Sequence, residues 1–252
     1  MIKKRVLILG GTGDASKLAA KATTLPGIEV IVSLAGRTPE PLPIAGTLRV
    51  GGFGGVDGLT TYLRDEAIDL LIDATHPFAA QISFNASAAA DELELPRIIL
   101  VRPAWESVPG DQWINVDSIA AAADVLEGQA KRVFLTIGRQ QLAAFAHLHE
   151  IWFLMRLINQ PESEAVLPNG LFLFSQGPFD LTAERELLMQ YQIDTLVTKN
   201  SGGNATYAKI IAARELGINV VMVNRPPIPQ GEQVKNVEEA FVWLCNQISS
   251  VR

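Results

Sequence analysis

Short runs of apolar residues alternate with amphipathic stretches along the whole chain. In the N-terminal part, the apolar runs are rich in leucine and β-branched residues and predict buried strands at residues 6–9, 29–33, 70–73 and 98–101. The stretches between them predict helices at residues 14–24, 58–66 and 78–93. Strands that alternate with helices in this way are typical of a parallel sheet with helical crossovers.

The alternation stops at residues 102–111, which contain two prolines and a glycine and predict a linker. It then restarts, with strands predicted at residues 133–137, 171–174, 195–198 and 220–223 and helices at residues 118–126, 139–146, 181–190, 204–216 and 237–248. We therefore expect an α/β protein of two doubly wound, Rossmann-like domains, residues 1–104 and 105–252, with parallel sheets and an interdomain cleft. Residues 114–116 resemble residues 234–237, and both precede a predicted helix, which is a weak sign of internal duplication.

The amino-acid composition of the chain argues against several classes of protein. The chain has 252 residues, 48% of them hydrophobic, but no apolar run approaches the roughly 20 residues that span a bilayer. The first apolar run is too short for a signal peptide, and the single cysteine, Cys245, allows neither an intramolecular disulfide nor a cysteine metal cluster. The formal net charge of −6 argues against a nucleic-acid surface. We therefore expect a cytoplasmic protein that binds no metal, membrane or nucleic acid.

A glycine-rich turn follows the first predicted strand and opens the first predicted helix. It contains Gly10, Gly11, Thr12 and Gly13, and Ser16 stands where dinucleotide-binding turns commonly have a third glycine. Glycines let the backbone approach a diphosphate, which the N–H groups and the positive dipole end of the helix stabilise. The turn predicts a dinucleotide site, and a tight strand–helix turn without a ligand is the alternative.

The end of the second predicted strand indicates which dinucleotide is bound. NAD enzymes place an acidic residue there to bind the ribose hydroxyls, whereas this chain has Arg37 and Thr38 after Ser33 and no acid. An arginine and a hydroxyl group suit a 2′-phosphate, so we expect NADPH as the cofactor. Arg37 as an ordinary surface residue is the alternative.

Two further segments of the N-terminal half carry candidate chemistry. Four glycines surround Phe53 in residues 51–55, where the backbone can approach a flat ligand or simply form a mobile turn. A hydrophobic strand ends just before Thr75 and His76, and Pro77 is expected at the first position of the next helix. His76 then lies at the mouth of the sheet, where it either donates a proton or caps the helix.

The second half places cations at two strand ends. Arg139 follows one predicted strand and Lys199 another, and each precedes a predicted helix. Both residues can bind carboxylates or phosphates, and ordinary strand–helix loops are the alternative. Three common catalytic motifs are absent from the sequence: the phosphate-binding Gly-x-x-x-x-Gly-Lys loop, the Tyr-x-x-x-Lys pair of short-chain dehydrogenases and the serine nucleophile elbow.

Taken in order, these segments resemble the precorrin-6A reductase family of cobalamin biosynthesis, whose members act on precorrin-6A or its cobalt-containing counterpart. The resemblance runs from Val6 to Pro226 and rests on residues 8–15, 33–38, 51–55, 58–59, 73–79, 138–139, 177–179 and 198–203. It implies an oxidoreductase of the class that acts on CH–CH groups. Such an enzyme would use NADPH to reduce a double bond of an anionic tetrapyrrole to the dihydro product. Transient contact with neighbouring enzymes of the pathway is a further expectation.

The motifs and the resemblance together assign the site residues. Cofactor binding is assigned to Gly10, Gly11, Thr12, Gly13, Asp14, Arg37, Thr75, His76, Pro77, Phe78, Asn200, Ser201, Gly202 and Gly203. Substrate binding is assigned to Phe53, Gly54, Arg102, Arg139 and Lys199, and proton donation to His76 and Lys199. Precorrin-type substrates carry several acetate and propionate groups, and Arg156 is a further cation available for them.

The first loop departs from the family pattern, because many members have glutamate and then arginine where this chain has Asp14 and Ser16. If that arginine contacts the cofactor phosphate, Lys17 or Arg37 takes its place here, or the affinity is lower. Two other functions are compatible with a dinucleotide turn. One is a Rossmann-type reductase of a cyclic imine, and the other is a non-catalytic module that senses NADPH.

Overall fold

The computed structural model of the protein describes residues 3–36, 44–161 and 164–249, in which strands and helices alternate. The strands are β1 (Lys4–Leu9), β2 (Ile28–Leu34), β3 (Thr47–Val50), β4 (Leu70–Asp73), β5 (Arg97–Leu100), β6 (Trp113–Val116), β7 (Arg132–Thr136), β8 (Trp152–Leu157), β9 (Gly170–Phe174), β10 (Thr195–Lys199), β11 (Asn219–Val223) and β12 (Gln233–Val234). The helices are α1 (Gly13–Ala22), α2 (Gly55–Asp65), α3 (Ala80–Glu92), α4 (Ile119–Leu126), α5 (Leu181–Gln190), α6 (Ala208–Leu216) and α7 (Val237–Ser249), with a 3₁₀ helix at Arg139–Phe145. The chain forms two compact units: unit 1 is Met1–Pro103 with Pro226–Arg252, and unit 2 is Ala104–Arg225.

Unit 1 contains a six-stranded sheet in the order β12-β5-β4-β1-β2-β3, and all of its strand pairs are parallel. The chain order reverses between β1 and β4, so their carboxyl ends form the switch point at which doubly wound sheets bind ligands. Val6 and Ile8 face the core cluster that contains α1 and α7, while Leu7 and Leu9 face the cluster that contains α2 and α3. Burial on both faces explains why β1 is apolar without interruption from Val6 to Leu9.

Unit 2 contains a second six-stranded sheet, in the order β6-β11-β10-β7-β8-β9, again with parallel pairs. Its switch point lies between β7 and β10. Phe134, Leu196 and Met222 are buried in a core cluster that also contains residues of α5 and α6. Two parallel, doubly wound sheets with helices confirm the predicted α/β fold class.

Residues 226–252 belong to unit 1, which corrects the expectation of a C-terminal domain at residues 105–252. β12 pairs in parallel with β5 and so completes the sheet of unit 1. α7 packs next to α1 and buries Val237, Trp243 and Leu244 in the same core cluster. The order of the predicted elements did not indicate that the C-terminal segment joins unit 1. That assignment depends on which apolar surface α7 covers.

The two segments that resemble each other in sequence lie at corresponding places. Residues 114–116 belong to the edge strand β6, which leads into α4. Residues 234–237 join the edge strand β12 to α7. This edge strand and its helix come first along the chain in unit 2 and last in unit 1.

Several boundaries differ from the sequence predictions. β3, β6, β8 and β12 were not predicted as strands, and the helix predicted at residues 139–146 is a 3₁₀ helix. Pro77 does not open α3, which begins at Ala80 instead. The intervening residues form a turn in which Ala79 N donates a hydrogen bond to His76 O at 2.7 Å.

Two features are absent from the described ranges. Among the helices that they contain, none is both long and apolar enough to cross a membrane. The same ranges contain no cluster of three or more histidine, cysteine, aspartate or glutamate residues that could hold a metal ion.

Candidate functional site

The glycine turn after β1 lies at the switch point of the unit 1 sheet. Gly10 N donates a hydrogen bond to Ser33 O at 2.9 Å, which holds the turn against the end of β2. A side chain at Gly10 would be crowded, because an added Cβ would lie 3.0 Å from Val32 Cγ1. A Cβ added at Gly11 or Gly13 would meet no heavy atom of the described residues within 4 Å. The turn therefore packs on the sheet on one side and leaves open space on the other.

Thr12 caps α1 and ties the turn to the end of β4. Its Oγ1 accepts a hydrogen bond from Ala15 N at 3.1 Å and donates one to Ala74 O at 2.8 Å. The Thr12 side chain is thus used to build the turn. The N–H groups of Gly13 and Asp14 have no acceptor among the described residues, as expected in the first turn of a helix. Together with the helix dipole, they favour an anion at this position.

Arg102 lies beside this turn, where it pairs with Asp14. Its Nη1 is 2.9 Å from Asp14 Oδ2, and the two side chains are partly exposed. A carboxylate in the first turn of α1 would repel a diphosphate, and the guanidinium group offsets that charge. The pair joins residues 88 positions apart, so no local pattern in the sequence could have revealed it.

A buried carboxylate fixes the turn after β4. Asp73 is 1% exposed, and its Oδ1 accepts hydrogen bonds from Thr75 N at 3.0 Å and from Thr75 Oγ1 at 2.7 Å. The Thr75 hydroxyl group also lies 3.5 Å from Ser83 Oγ. The Thr75 side chain therefore shapes the turn that presents His76.

His76 lies in this turn, ahead of α3. Its Nδ1 accepts a hydrogen bond from Phe78 N at 3.2 Å. The centroids of the His76 and Phe78 rings are 5.7 Å apart. Because Nδ1 accepts, the proton of a neutral His76 is assigned to Nε2. The structural role and the predicted proton donation therefore use different nitrogen atoms of the ring.

Arg49 lies where β2 and β3 end side by side. Its Nη1 donates hydrogen bonds to Gly51 O at 2.6 Å and to Ser33 Oγ at 3.2 Å, and its Nη2 donates to Gly52 O at 2.9 Å. The guanidinium carbon lies 3.7 Å from the centroid of the Phe53 ring. The sequence predictions gave Arg49 no role. The position of Arg49 just before the glycine-rich segment could have indicated a role in that segment. The strand that contains Arg49, β3, was not predicted.

Phe53 and Gly54 lie near Arg49 and the end of β2. One face of the Phe53 ring is covered by Arg49, and the ring also packs on the core cluster of α2 and α3. Gly54 precedes α2 with a left-handed φ of 84°. In a sheet of this order, the end of β2 faces the adenosine ribose of a dinucleotide. The substrate contact of Phe53 and Gly54 stays a prediction, and Arg37, predicted to act at the end of β2, lies outside the described residues.

In unit 2, the structure brings Arg139 and Lys199 to one edge of the sheet. They lie at the carboxyl ends of β7 and β10, which pair in parallel at the switch point. Arg139 Nη1 donates a hydrogen bond to Gln160 O at 3.3 Å. Lys199 O accepts a hydrogen bond from Ser201 N at 2.7 Å.

Asn200 anchors the loop that follows β10. Its Oδ1 accepts a hydrogen bond from Trp105 N at 2.8 Å, and its Nδ2 donates to Trp105 O at 2.9 Å. The indole Nε1 of Trp105 donates to Gly203 O at 2.8 Å. Gly202 and Gly203 both have left-handed φ values, 68° and 72°. The amide of Asn200 thus fixes the loop, and the cofactor contact of this segment stays a prediction.

Arg156 is buried, although the sequence suggested an open cation for the substrate. Its Nη1 and Nη2 donate to the two carboxylate oxygens of Glu184 at 2.9 and 2.6 Å. Such a two-point pair matches the planar geometry of a guanidinium group. The pair explains how a charged residue can occupy the buried strand β8.

Comparison with known proteins gives a consistent set of relatives. Residues 5–245 match the family described as precorrin-6x reductase CbiJ/CobK. The chain is 48% identical to a precorrin-6A reductase of Rhodococcus erythropolis over 241 residues, covering 95% of this chain and 97% of the relative. It is 29% identical to a cobalt-precorrin-6A reductase of Priestia megaterium, covering 97% of this chain and all of the relative. The solved structure of CobK precorrin-6A reductase aligns with a TM-score of 0.91 at 40% identity and covers 97% of both chains.

Proposed function

The chain belongs to the precorrin-6x reductase family, and we propose that it uses NADPH to reduce a double bond in the macrocycle of metal-free precorrin-6A. The observation that carries the proposal is the glycine turn at the switch point of a sheet with Rossmann strand order. Membership of a reductase family implies a nicotinamide cofactor and a tetrapyrrole substrate. The phosphorylated cofactor and the metal-free substrate are the finer parts of the proposal.

The residues of the turn fit the diphosphate of such a cofactor. Within the described ranges, the N–H groups of Gly13 and Asp14 have no acceptor, and the space beside Gly11 contains no atom. Arg102 neutralises Asp14 at the same helix end, so the carboxylate does not repel the diphosphate. Many family members have an arginine in the first loop. In this chain, the guanidinium group of Arg102 reaches the same turn from outside that loop.

The preference for NADPH rests on the end of β2. Ser33 lies there in place of the acid that binds an unphosphorylated ribose, and Arg49 donates a hydrogen bond to its hydroxyl group. An arginine and a serine at this position suit a 2′-phosphate. Arg37 is proposed to act with them.

The reaction adds one hydride and one proton across a carbon–carbon double bond. A bound reduced nicotinamide supplies the hydride. The chain orients the reactants, excludes water and holds the proton. His76 Nε2 and the Lys199 ammonium group are the proposed proton donors, since His76 follows β4 and Lys199 ends β10 at the switch points of their sheets.

The metal-free substrate is proposed from the pattern of relatives. A relative named precorrin-6A reductase is 48% identical to this chain, whereas one named cobalt-precorrin-6A reductase is 29% identical over a similar length. Family membership also disfavours the alternative of a cyclic-imine reductase.

An assay with both substrate forms tests the proposal. The protein is mixed with NADPH and either metal-free or cobalt-loaded precorrin-6A, and the absorbance of the reduced nicotinamide is followed. We expect rapid oxidation with the metal-free substrate, slower oxidation with the cobalt form and little oxidation when NADH replaces NADPH. Binding of NADPH without oxidation would contradict the proposal and favour a sensor.

A further inference from the structure

Three charged residues form a buried cluster in unit 2: Arg156, Glu184 and Lys209, called here the buried charge cluster. Arg156 lies near the carboxyl end of β8, Glu184 in the first turn of α5 and Lys209 in the first turn of α6. Their exposed fractions are 9%, 2% and 5%. Ionised side chains are rarely buried to this extent unless each has a partner.

The hydrogen bonds within the cluster leave two donors without an acceptor. Both oxygens of Glu184 are taken by Arg156 Nη1 and Nη2. Arg156 Nε is buried and makes no hydrogen bond. Lys209 Nζ makes no hydrogen bond or ion pair within the described ranges and lies 5.3 Å from the centroid of the Trp105 ring. A buried donor without an acceptor, such as Arg156 Nε, is uncommon and calls for an explanation.

When Lys209 is protonated, the cluster has one more positive than negative charge and can accept an anion. Two basic groups face one carboxylate, and the charged groups that act on Lys209 are Arg156 from β8 and Glu184 from α5. Burial, and then the charge of Arg156, lower the pKa of Lys209 to about 7, although Glu184 opposes this shift. A lysine kept close to neutral in this way becomes fully charged once a carboxylate lies beside it.

The place of the cluster in the fold is suitable for a ligand. Lys209 and Glu184 lie in the first turns of helices that start at the carboxyl edge of the sheet, where ligands of doubly wound sheets bind. The Trp105 ring beneath Lys209 donates a hydrogen bond through Nε1 to Gly203 O, in the loop after β10. The cluster is therefore adjacent to the loop that the sequence predicts as part of the active site.

We propose that Lys209 Nζ and Arg156 Nε form a binding site for a carboxylate, and that the ligand is one of the acidic side chains of the tetrapyrrole. Only the identity of the ligand rests on the proposed function. A carboxylate has two oxygens and accepts from both donors, so it supplies the negative charge that the cluster lacks. Binding at this site must also draw a proton from the solvent onto Lys209, which no site built on permanently charged arginines would do.

Proton uptake on substrate binding tests this site. Precorrin-6A is titrated calorimetrically into protein saturated with NADP+, so that no reduction takes place, in two buffers of different ionisation enthalpy. Because the pKa of Lys209 is lowered to about 7, we expect an uptake approaching about one proton near pH 8 that becomes small near pH 6. The absence of any pH-dependent uptake in the wild-type protein would overturn the proposal.

Two variants and a control locate the effect. In K209M we expect the uptake to disappear and the affinity for precorrin-6A to fall at least about tenfold. K209R stays charged, so it should keep most of the affinity and show no uptake. The control K131M removes an exposed lysine and should behave as wild type. The same affinity and uptake in K209M as in wild type, or an equal loss in K131M, would overturn the site.

Failure of this site and failure of the proposed function can be told apart. If wild-type protein does not oxidise NADPH in the presence of precorrin-6A, the proposed function fails. If it does oxidise NADPH while K209M keeps wild-type binding, only the carboxylate site fails. NADPH affinity and unfolding temperature, measured for each variant, show that the fold is retained.

Discussion

Arg49 is the described residue whose contacts bear most directly on the choice of cofactor. It joins Ser33 to the glycine-rich segment and stacks on Phe53. Replacing Arg49 with Met removes a charged donor from the proposed 2′-phosphate site. We expect the Kd for NADPH to rise about ten- to hundredfold, corresponding to roughly 1.5–3 kcal/mol, with little change for NADH. Fluorescence titration with both cofactors measures this difference.

A matched control for Arg49 is R64Q. Arg64 is an exposed arginine of α2 that lies 3.6 Å from Glu92. Its replacement should leave both affinities within about twofold, because exposed ion pairs contribute little. An equal loss of NADPH and NADH affinity in the Arg49 variant would show that Arg49 only holds the loop.

His76 combines a structural and a proposed chemical role on different nitrogens. Replacing His76 with Ala should lower kcat more than it weakens NADPH binding, because Nε2 is the proposed proton source. H76N can still accept a hydrogen bond near the position of Nδ1, so it should retain the turn while losing the donor. Steady-state kinetics and cofactor titration separate the two effects. Unchanged turnover in H76A would remove His76 from the mechanism.

Lys209 makes the stability of unit 2 depend on pH. Its pKa falls from 10.5 in the unfolded chain to about 7 in the folded protein, so between these values the unfolded chain binds more protons. The folded state therefore loses stability as the pH falls from about 10 towards 7, by up to about 1.4 kcal/mol per unit, and no further below that. K209M lacks this cost, so its advantage over wild type should grow over the same range.

Urea unfolding at three pH values between about 7 and 10 measures the Lys209 effect. The exposed lysine variant K131M serves as the reference. A difference between K209M and wild type that stays constant with pH would contradict the assignment of a perturbed lysine.

At the residue scale, the sequence predicted the local features of the site and missed the tertiary pairs. Gly10 to Gly13 and Thr75 to His76 lie at one switch point because the ends of adjacent parallel strands meet. The pairs of Asp14 with Arg102, Ser33 with Arg49, and Arg156 with Glu184 join separate elements. Such pairs depend on side-chain packing, which no single segment specifies.

At the element scale, α7 and β12 complete unit 1. Trp243 is buried beside Leu244 and Val237 in the core cluster of α1, and its Nε1 donates a hydrogen bond to Glu232 at 2.8 Å. W243A should lower the free energy of unfolding by at least about 3 kcal/mol, since it leaves a cavity and removes a hydrogen bond. Denaturant unfolding measures this loss.

A control lies on the same helix. Val242 is 58% exposed, so V242A should change the stability by no more than about 0.5 kcal/mol. Equal effects of the two substitutions would mean that α7 does not pack on unit 1 in the way described.

Four strands were not predicted from the sequence, for two physical reasons. β3 and β6 are largely exposed edge strands, and β12 has only two residues, so they lack the apolar signal of central strands. β8 is almost fully buried but contains Arg156, whose charge is compensated by Glu184 from α5. The central strands β1, β4 and β11 were predicted because burial on both faces gives a run of apolar residues.

At the scale of the whole molecule, the two units have the same sheet architecture but carry different charged and polar groups. Unit 1 carries the glycine turn and the proposed 2′-phosphate residues at one sheet edge. Unit 2 carries the cations of β7 and β10 and the buried charge cluster. A cofactor with a diphosphate and a substrate with several carboxylates require these two kinds of anion site.

The central claim is that the glycine turn binds the diphosphate of NADPH. The most direct measurement is a calorimetric titration of NADPH into wild-type protein and into G13V, whose added Cβ lies in open space beside the turn, more than 4 Å from the heavy atoms of the described packing neighbours. The account predicts saturable binding to wild type and an affinity at least about tenfold lower in G13V, with an unchanged unfolding temperature. No binding to wild type, or the same Kd in G13V, would contradict it.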